Sequence, residues 1–274
     1  MPFILFQNQY FAGGAATSQG LVRKENQDSY CCLNTSGLFA VADGMGGGEG
    51  GDRASAMVIR SLGHASHQPM KDLSGIVNLV YHANQDIHEY AEKYHMRGMG
   101  STVVGILLAP FQPEKAILFF AGDSPCYRLR KNKLEKLSTD HTVASAMNLP
   151  EEKLAPQFRG VLTNAVGYGS NFFLETQNLD LCSGDSYLLC SDGVSRQVPE
   201  SEIREIMASG LPSSQKAQNL VDASLRYGGK DNATAVVISF GTLPELSPEV
   251  LQEEKECPDF PDSEEGDHVT PPTE

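Results

Sequence analysis

The chain has 274 residues, of which 40% are hydrophobic, and no segment approaches the roughly 20 apolar residues of a membrane-spanning helix. This size and composition predict a soluble globular protein with one sizeable core. The net charge of -14 and the lack of a basic stripe interleaved with aromatic residues argue against nucleic-acid binding. The apolar start at 1–6 has no preceding basic residue and no long apolar region, so it does not resemble a signal peptide, and we expect a cytoplasmic protein.

Strands and helices are predicted from the spacing of apolar residues. Short strands are predicted at 28–33, 38–42, 102–108, 116–121, 172–179, 186–190 and 234–240. Helices are predicted at 53–65, 73–94, 201–208 and 213–227. Because the strands come in blocks and the helices in pairs, we expect an α+β fold rather than βαβ alternation. The expected architecture is a four-layer αββα sandwich of two mostly antiparallel sheets flanked by helix pairs.

The C-terminal segment 241–274 differs in composition from the rest of the chain. It holds eleven acidic residues, one Lys and six Pro, with few large apolar residues. Such a segment cannot offset its ordering entropy by burial. We therefore predict one catalytic domain over 1–240 and an acidic, disordered tail over 241–274.

An Asp falls at the end or start of an apolar run at four places: Asp43, Asp123, Asp192 and Asp231. Strands that end at one edge of a sheet bring such residues together, and a cluster of carboxylates is tolerated only where cations neutralise it. One Asp alone is often an ordinary turn residue. Together the four predict a divalent-metal site made of oxygen ligands.

The glycine-rich loop 44–51 permits a second interpretation. Its Gly46-x-Gly48-x-x-Gly51 pattern fits the dinucleotide fingerprint between a strand and a helix. That fingerprint also needs a second strand with an acidic residue about 20 positions later, where this chain is still near its predicted helices. Glycines beside Asp43 instead let a backbone carbonyl and a phosphate approach a metal ion.

Cys190 and Arg196 match the Cys-x5-Arg spacing of cysteine-dependent phosphatases. A thiolate nucleophile needs a cradle of backbone amides and a low pKa. Asp192 would place negative charge inside that cradle, and Cys190 completes an apolar run. A reduced, buried core thiol is the better interpretation.

Eight motifs in one order carry a resemblance to a known family. They are 20–28 (GLVRKENQD), 42–47 (ADGMGG), 100–102 (GST), 121–124 (AGDS), 138–141 (STDH), 162–167 (LTNAVG), 190–193 (CSDG) and 231–234 (DNAT). From about Gly13 to Phe240 the chain resembles the PPM-type, or protein phosphatase 2C-like, metal-dependent Ser/Thr protein phosphatases in their compact bacterial form. The resemblance implies an αββα sandwich with a metal site at one edge of the sheets, in agreement with the predicted layers.

The resemblance also implies a metal-binding role for individual residues. Asp43 would bridge two Mn2+ or Mg2+ ions, with Asp192 and Asp231 completing one and the Gly44 carbonyl contributing to the other. Asp123, with Asp192, would offer a possible third, weaker site. A hydroxide held between the two ions would attack the phosphoester of phosphoserine or phosphothreonine without a phosphoenzyme.

Arg23 and Asp28 complete the catalytic set that the resemblance implies, together with Asp43. Arg23 would grip the phosphate oxygens in a bidentate way and stabilise charge during transfer. Asp28 would orient metal-bound water from outside the coordination sphere. In the family, the region corresponding to 147–168 holds a mobile flap, which we expect to help choose substrates. His141 is either a phosphate- or proton-handling residue or a structural, hydrogen-bonded one.

Three residues depart from the commonest family pattern. Gln27 stands where many members have Glu, Met45 where eukaryotic members have a His that is a proposed proton donor, and Pro125 where an Arg is usual. Gln27 keeps open an alternative, a pseudophosphatase that binds phosphoproteins without turnover, although retention of the three core Asp ligands favours an enzyme. We expect a monomer that acts on phosphorylated proteins and opposes a Ser/Thr kinase, with neither nucleic acid nor membrane as a partner.

Overall fold

The computed structural model describes residues 4–6, 9–46, 50–63, 73–109, 112 and 114–242. Its strands are β1 (Ile4–Phe6), β2 (Gln9–Ser18), β3 (Asp28–Leu33), β4 (Leu38–Met45), β5 (Gly100–Ser101), β6 (Val103–Leu108), β7 (Lys115–Ala121), β8 (Cys126–Arg130), β9 (Lys133–Lys136), β10 (Glu175–Asp180), β11 (Ser186–Cys190) and β12 (Ala233–Thr242). Its α-helices are α1 (Gly51–Gly63), α2 (Leu73–Lys93), α3 (Val143–Ala146), α4 (Asp192–Ser195), α5 (Glu200–Ala208) and α6 (Ser213–Arg226). Short 3-10 turns lie at Glu151–Lys153, Pro156–Phe158 and Gly169–Asn171.

The strands form two sheets. One sheet has the order β1-β2-β12-β11-β8-β9, and the other has the order β10-β7-β6-β4-β3 with β5 paired to β4. Every strand pair that the structure describes is antiparallel. The register places Asp28 of β3 directly opposite Asp43 of β4, so two of the predicted site residues are cross-strand neighbours.

Alternation along a central strand shows how the layers are stacked. In β4, Ala40 and Ala42 pack into the cluster under α1 and α2, whereas Phe39 and Val41 pack into the cluster between the sheets. Strand β11 does the same between the inner cluster and a third cluster under α5 and α6. The layers are therefore helices, sheet, sheet, helices, which confirms the predicted α+β sandwich.

Strand β2 was not predicted, because its centre contains two glycines, which are poor strand formers. Both glycines are required by packing. A Cβ at Gly14 would lie 2.2 Å from the backbone nitrogen of Ser214 in α6, and a Cβ at Gly13 would lie 2.3 Å from Phe39 Cε1. Close approach of a helix on one face and an aromatic ring on the other explains a glycine pair within a ten-residue strand.

The hairpin of β8 and β9 was also missed. Its charged side chains hide the alternating pattern, and its turn residues Lys131 and Asn132 have φ values of 50° and 62°, as in the two-residue turns that close tight hairpins. The strand predicted at 172–179 begins only at Glu175, because Phe172 packs edge-on against Tyr81 of α2 instead of entering the sheet.

The predicted helices form close to their expected positions. Helix α1 begins two residues before the predicted 53–65, and residues 64 and 65 lie outside the described part of the chain. Strand β12 continues through Thr242, just past the predicted domain end at 240, and the remaining tail, 243–274, lies outside the described residues. Within the described ranges no helix combines the length and apolarity needed to cross a bilayer.

Candidate metal centre

One cavity at the edge of the two sheets gathers the predicted site residues except Asp28. Its lining includes, among others, Arg23, Asp43, Gly44, Asp123, Asp192 and Asp231. These residues come from the β2–β3 connection, the end of β4, the turn after β7, the start of α4 and the residues before β12. Segments far apart in sequence therefore meet at one place, as the strand-end argument predicted.

Asp43 is fixed in the cavity through its backbone. Its N–H donates to Thr102 Oγ1 (3.0 Å), and its carbonyl accepts from the Thr102 N–H (2.8 Å). Thr102 Oγ1 also lies 2.6 Å from Ser124 Oγ, next to Asp123. One buried pair of hydroxyls thus joins the end of β4 to the turn that carries Asp123.

The glycines that follow Asp43 and Asp192 leave no room for a side chain. A Cβ at Gly44 would lie 1.8 Å from the carbonyl oxygen of Gly51, at the start of α1, and a Cβ at Gly193 would lie 1.9 Å from the carbonyl oxygen of Asn232. These Asp-Gly pairs are therefore explained by close backbone approach rather than by an unusual φ angle.

Asp28 lies beneath the cavity and links three segments. Its Oδ2 accepts hydrogen bonds from Ser191 Oγ (2.7 Å) and Thr234 Oγ1 (2.7 Å). Ser191 precedes Asp192, and Thr234 lies in β12 close to Asp231. Burial raises the pKa of Asp28 to about 6, although the two hydroxyl donors oppose that rise.

Asp231 is held by Arg23 and by its neighbour Asn232. Arg23 Nη2 donates to Asp231 Oδ2 at 2.6 Å. Asn232 accepts from the Gln27 N–H (2.9 Å) and donates to the carbonyl of Glu25 (2.8 Å), so its amide fastens the loop that carries Arg23. The arginine expected to bind phosphate therefore pairs with a predicted metal ligand.

Arg196 provides the cation on the opposite side of the cavity. Its Nη2 donates to Asp123 Oδ2 at 2.7 Å, and its Nε lies 3.2 Å from Asp192 Oδ2. A longer contact of 3.7 Å joins Nη2 to Glu151. Arg196 therefore pairs with carboxylates, and these contacts do not support the Cys190–Arg196 pairing of a cysteine-dependent phosphatase.

The carboxylates of the cavity repel one another at neutral pH. Burial, followed by the charges of Asp28 and Asp192, raises the pKa of Asp43 well above its ordinary value. Burial and the charge of Asp123 raise the pKa of Asp192 to about 7. The pKa of Asp123 is also raised by burial, against the opposing effect of Arg196. Such a cluster favours cation binding because a dication stabilises the ionised forms.

The donor set suits hard divalent cations at the two main positions. All the predicted ligands offer oxygen, which Mg2+ and Mn2+ prefer. Asp28 Oδ1 is buried and, among the described residues, has no hydrogen-bond partner, as an acceptor for metal-bound water would be. Among the described residues, no three His, Cys, Asp or Glu side chains are grouped closely enough to hold one metal ion. Two of the predicted ligands are paired with arginines: Asp231 with Arg23, and Asp123 with Arg196.

The two rival chemistries lack structural support. Cys190 is 0% exposed, and burial raises the pKa of its thiol far above the ordinary value, the opposite of what a thiolate nucleophile needs. The glycine-rich loop leads from β4 into α1, but α1 is followed by α2 and then by antiparallel strands. The structure therefore lacks, over its described residues, the parallel βαβ unit of a dinucleotide site.

The departures from the family pattern occupy different places. Gln27 and Met45 both line the cavity, and the Tyr168 hydroxyl lies 4.0 Å from Met45 Sδ. Pro125 has a backbone role, since its carbonyl accepts from the Cys190 N–H at 3.2 Å. The Met45 side chain has no proton to donate to a leaving group. This position therefore supplies no general acid.

His141 is a structural, hydrogen-bonded residue. Its Nδ1 accepts from the Gly122 N–H (3.2 Å) and lies 3.0 Å from Asn164 Nδ2, while its Nε2 lies 3.1 Å from Glu175. The ring is stacked on Phe120 and is 7% exposed. His141 thus ties the turn before Asp123 to the base of the flap.

Comparisons with known proteins agree with this fold. A family model described as Protein phosphatase 2C matches residues 15–233. The serine/threonine phosphatase stp of Listeria monocytogenes is 30% identical over 244 residues, covering 81% of this chain and 93% of the relative. The solved structure of PppA, a key regulatory component of T6SS in Pseudomonas aeruginosa, is 30% identical with a TM-score of 0.77, covering 85% of this chain and 100% of that one. The catalytic domain of the serine/threonine protein phosphatase PstP, solved with two manganese ions, is 32% identical with a TM-score of 0.75, covering 85% and 99%.

The chain therefore belongs to the protein phosphatase 2C family of protein serine/threonine phosphatases. This confirms the family, the fold class and the enzyme class that the sequence predicted. The comparisons also favour the enzyme over the pseudophosphatase alternative, since the relatives are named as phosphatases.

Sequence reasoning overlooked several supporting residues. Thr102, Ser191 and Thr234 were quoted within motifs without a role, although a hydroxyl residue beside each Asp or strand end was the available signal. Arg196 was considered only as part of a Cys-x5-Arg spacing. Its position four residues after Asp192, on a short helical turn, was the signal that could have placed it beside that carboxylate.

Proposed function

We propose that this phosphatase uses two Mn2+ or Mg2+ ions bound by Asp43, Asp192, Asp231 and the Gly44 carbonyl. The main support for this proposal is that these residues and Arg23 line one acidic cavity. PstP, which shares 32% identity with this chain, was solved with two manganese ions. When bound, two such ions supply a water-derived nucleophile and neutralise phosphate charge.

The residues of the chain position the reaction. Asp28 holds Ser191 and Thr234, and through them the two segments that carry Asp192 and Asp231. Its Oδ1, which has no hydrogen-bond partner among the described residues, would accept a hydrogen bond from water at a bound ion. Arg23, which pairs with Asp231 in this structure, would bind the phosphate oxygens of the substrate in a bidentate way.

The proposed substrates are proteins phosphorylated on Ser or Thr, and the proposed partner is a Ser/Thr kinase or its targets. We place the protein in the cytoplasm as a monomer. The flap, residues 147–168, supports a role in substrate choice because Gly160, Val161 and Leu162 line the cavity and Phe158 and Val161 are exposed.

The test is hydrolysis of para-nitrophenyl phosphate and of a phosphothreonine peptide by the full chain with Mn2+, with Mg2+ and with EDTA. We expect hydrolysis that requires a divalent ion and is lost in Asp192→Asn. Asp222→Asn, at a partly exposed Asp on α6 that accepts a hydrogen bond from Gln218, is the matched control and should keep full activity.

Two results would contradict the proposal. Activity that survives EDTA but is lost in Cys190→Ser would restore the thiolate mechanism. Binding of phosphopeptide without hydrolysis under any metal would support the pseudophosphatase.

A further inference from the structure

The third ion position implied by the family resemblance is already filled by a side chain. That position requires Asp123 and Asp192 to face a cation together. Arg196 donates to Asp123 at 2.7 Å and lies 3.2 Å from Asp192, so one guanidinium contacts both carboxylates. The Asp123 and Asp192 side chains are only 10% and 22% exposed, so the contact is largely shielded from solvent.

The backbone fixes Arg196 in this place. Arg196 closes the short helix α4, and its N–H donates to the Asp192 carbonyl at 2.8 Å. The turn that presents Asp192 to the cavity therefore also presents Arg196. Because Arg196 and Asp192 lie on the same helical turn, folding alone brings the guanidinium to the carboxylate.

Charge balance disfavours a further dication beside this guanidinium. Five Asp carboxylates lie in or beneath the cavity, and Glu151 adds a sixth carboxylate at Arg196. Two dications together with the guanidiniums of Arg23 and Arg196 would already balance these six negative charges. A third dication between Asp123 and Asp192 would meet the Arg196 charge at contact distance, beside two carboxylates that are largely buried.

The same guanidinium reaches the flap. Arg196 Nη2 lies 3.7 Å from Glu151 Oε1, and Glu151 Oε1 accepts from the Gly160 N–H at 3.2 Å. Glu151 therefore joins both ends of the loop 151–160 to Arg196. Gly160 lines the cavity, so this contact sets how the flap lies over the carboxylates.

We propose that Arg196 replaces a third metal ion between Asp123 and Asp192, so that this chain binds two ions, and that it positions the flap through Glu151. The inference rests on the proposed two-ion site. It assigns Arg196 as a positioning residue rather than a catalytic one.

The first measurement counts bound Mn2+ on the full chain from the loss of the free-ion EPR signal during a titration. The wild type should bind two ions, whereas Arg196→Ala and the more conservative Arg196→Gln should bind three. Adding Asp123→Asn to Arg196→Ala should return the count to two. Arg204→Ala, which removes a similarly exposed arginine from α5, is the matched control and should bind two. Far-UV circular dichroism checks that each variant is folded.

The second measurement is limited trypsin digestion after Lys153 and Arg159, both within the flap. Loss of the Arg196–Glu151 contact should make cleavage there about two- to fivefold faster, as expected for a partly exposed ion pair. Glu151→Gln should have the same effect on cleavage while leaving the ion count at two.

The outcomes separate the two proposals. A wild type that binds three ions, or Arg196 variants that bind two and show unchanged cleavage, would overturn the role of Arg196 alone. A wild type that binds no Mn2+ would overturn the two-ion site and the Arg196 proposal with it.

Discussion

The floor and the rim of the cavity hold their charged groups in different ways. The floor consists of the buried residues Asp28, Thr102, Ser191 and Thr234 together with Asp43, which is partly buried. Hydroxyl and backbone hydrogen bonds join these residues to one another and to Ser124. The rim consists of Arg23 and Arg196 with Glu151; the side chains of both arginines are about half exposed, and their carboxylate partners lie on other segments or one helical turn away.

The two arrangements differ in how firmly folding fixes the side chains. Buried hydroxyl contacts on adjacent strands cannot change without disturbing the sheets, so the floor keeps its geometry. Exposed ion pairs such as Arg23–Asp231 contribute little to stability and exchange partners easily, whereas the Asp carboxylates that Arg196 contacts are largely buried. We therefore expect the floor to fix the predicted ligands and Arg23 to respond to ions and substrate.

The largest effect is expected for Asp43→Asn on the floor. Because Asp43 is the proposed bridging ligand, its replacement should lower kcat/KM by more than about 100-fold, beyond the loss typical of residues outside the coordination sphere. The metal-free variant should nevertheless unfold at a higher temperature than the wild type, because a buried charge among four other carboxylates is gone. Phosphopeptide kinetics and thermal unfolding in EDTA measure the two effects, with Asp222→Asn as control. Lower metal-free stability would show that Asp43 is not under electrostatic strain.

Gly44→Ala tests whether the floor is fixed by backbone approach. A Cβ at Gly44 would lie 1.8 Å from a backbone oxygen of α1, so we expect a loss of about 3 kcal/mol in the free energy of unfolding. Gly210→Ala is the control, because a Cβ there meets nothing within 4 Å, and it should change stability by less than about 0.5 kcal/mol. Denaturant unfolding in EDTA gives both values; equal values would mean that the floor tolerates movement.

The pH dependence of metal-free stability is the next effect. Asp28 and Asp192 have folded pKa values of about 6 and about 7, above the ordinary value of an Asp carboxyl. Between the pKa of an ordinary Asp carboxyl and these folded pKa values, the folded protein binds more protons than the unfolded chain. The free energy of unfolding therefore falls as pH rises through this range. We expect a decrease on the order of 2 kcal/mol between pH 5 and 7.5 in EDTA.

Saturating Mn2+ should reverse this trend, because the ions bind the deprotonated carboxylates and stabilise the folded state more as pH rises. Calorimetric unfolding at several pH values, with Mn2+ and with EDTA, measures both slopes. In Asp192→Asn the slope in EDTA should be shallower. An unchanged slope in that variant would assign the pH dependence to other groups.

The smallest effect is expected for Gln27→Glu, between floor and rim. The added carboxylate should tighten Mn2+ binding about two- to fivefold and slightly destabilise the metal-free protein, consistent with a weak, partly exposed charge interaction. Mn2+ titration of this variant and of Gln177→Glu, an exposed position on β10, gives the comparison. Weaker Mn2+ binding in Gln27→Glu would show that the neutral side chain favours ion binding.

Local sequence patterns were enough to predict the layered α+β fold and the four Asp residues at strand ends. Continuous apolar runs in β4 and β11 reflect burial on both faces, and helical spacing in α2 reflects burial on one face. Each Asp follows or precedes such a run, so strand ends in a sandwich bring them to one edge. Local patterns of this kind can be read from the sequence because they follow the geometry of a single strand or helix.

Strand β2, the hydroxyl contacts of Asp28 and the pairing of Arg196 became visible only in the three-dimensional structure. The glycines of β2 are explained by α6 and Phe39, which are remote in sequence. Asp28 meets Ser191 and Thr234 across separations of 163 and 206 residues. The carboxylates that an arginine neutralises depend on which turns face each other across the cavity. These contacts depend on three-dimensional packing and on local charge, so no periodic sequence pattern predicts them.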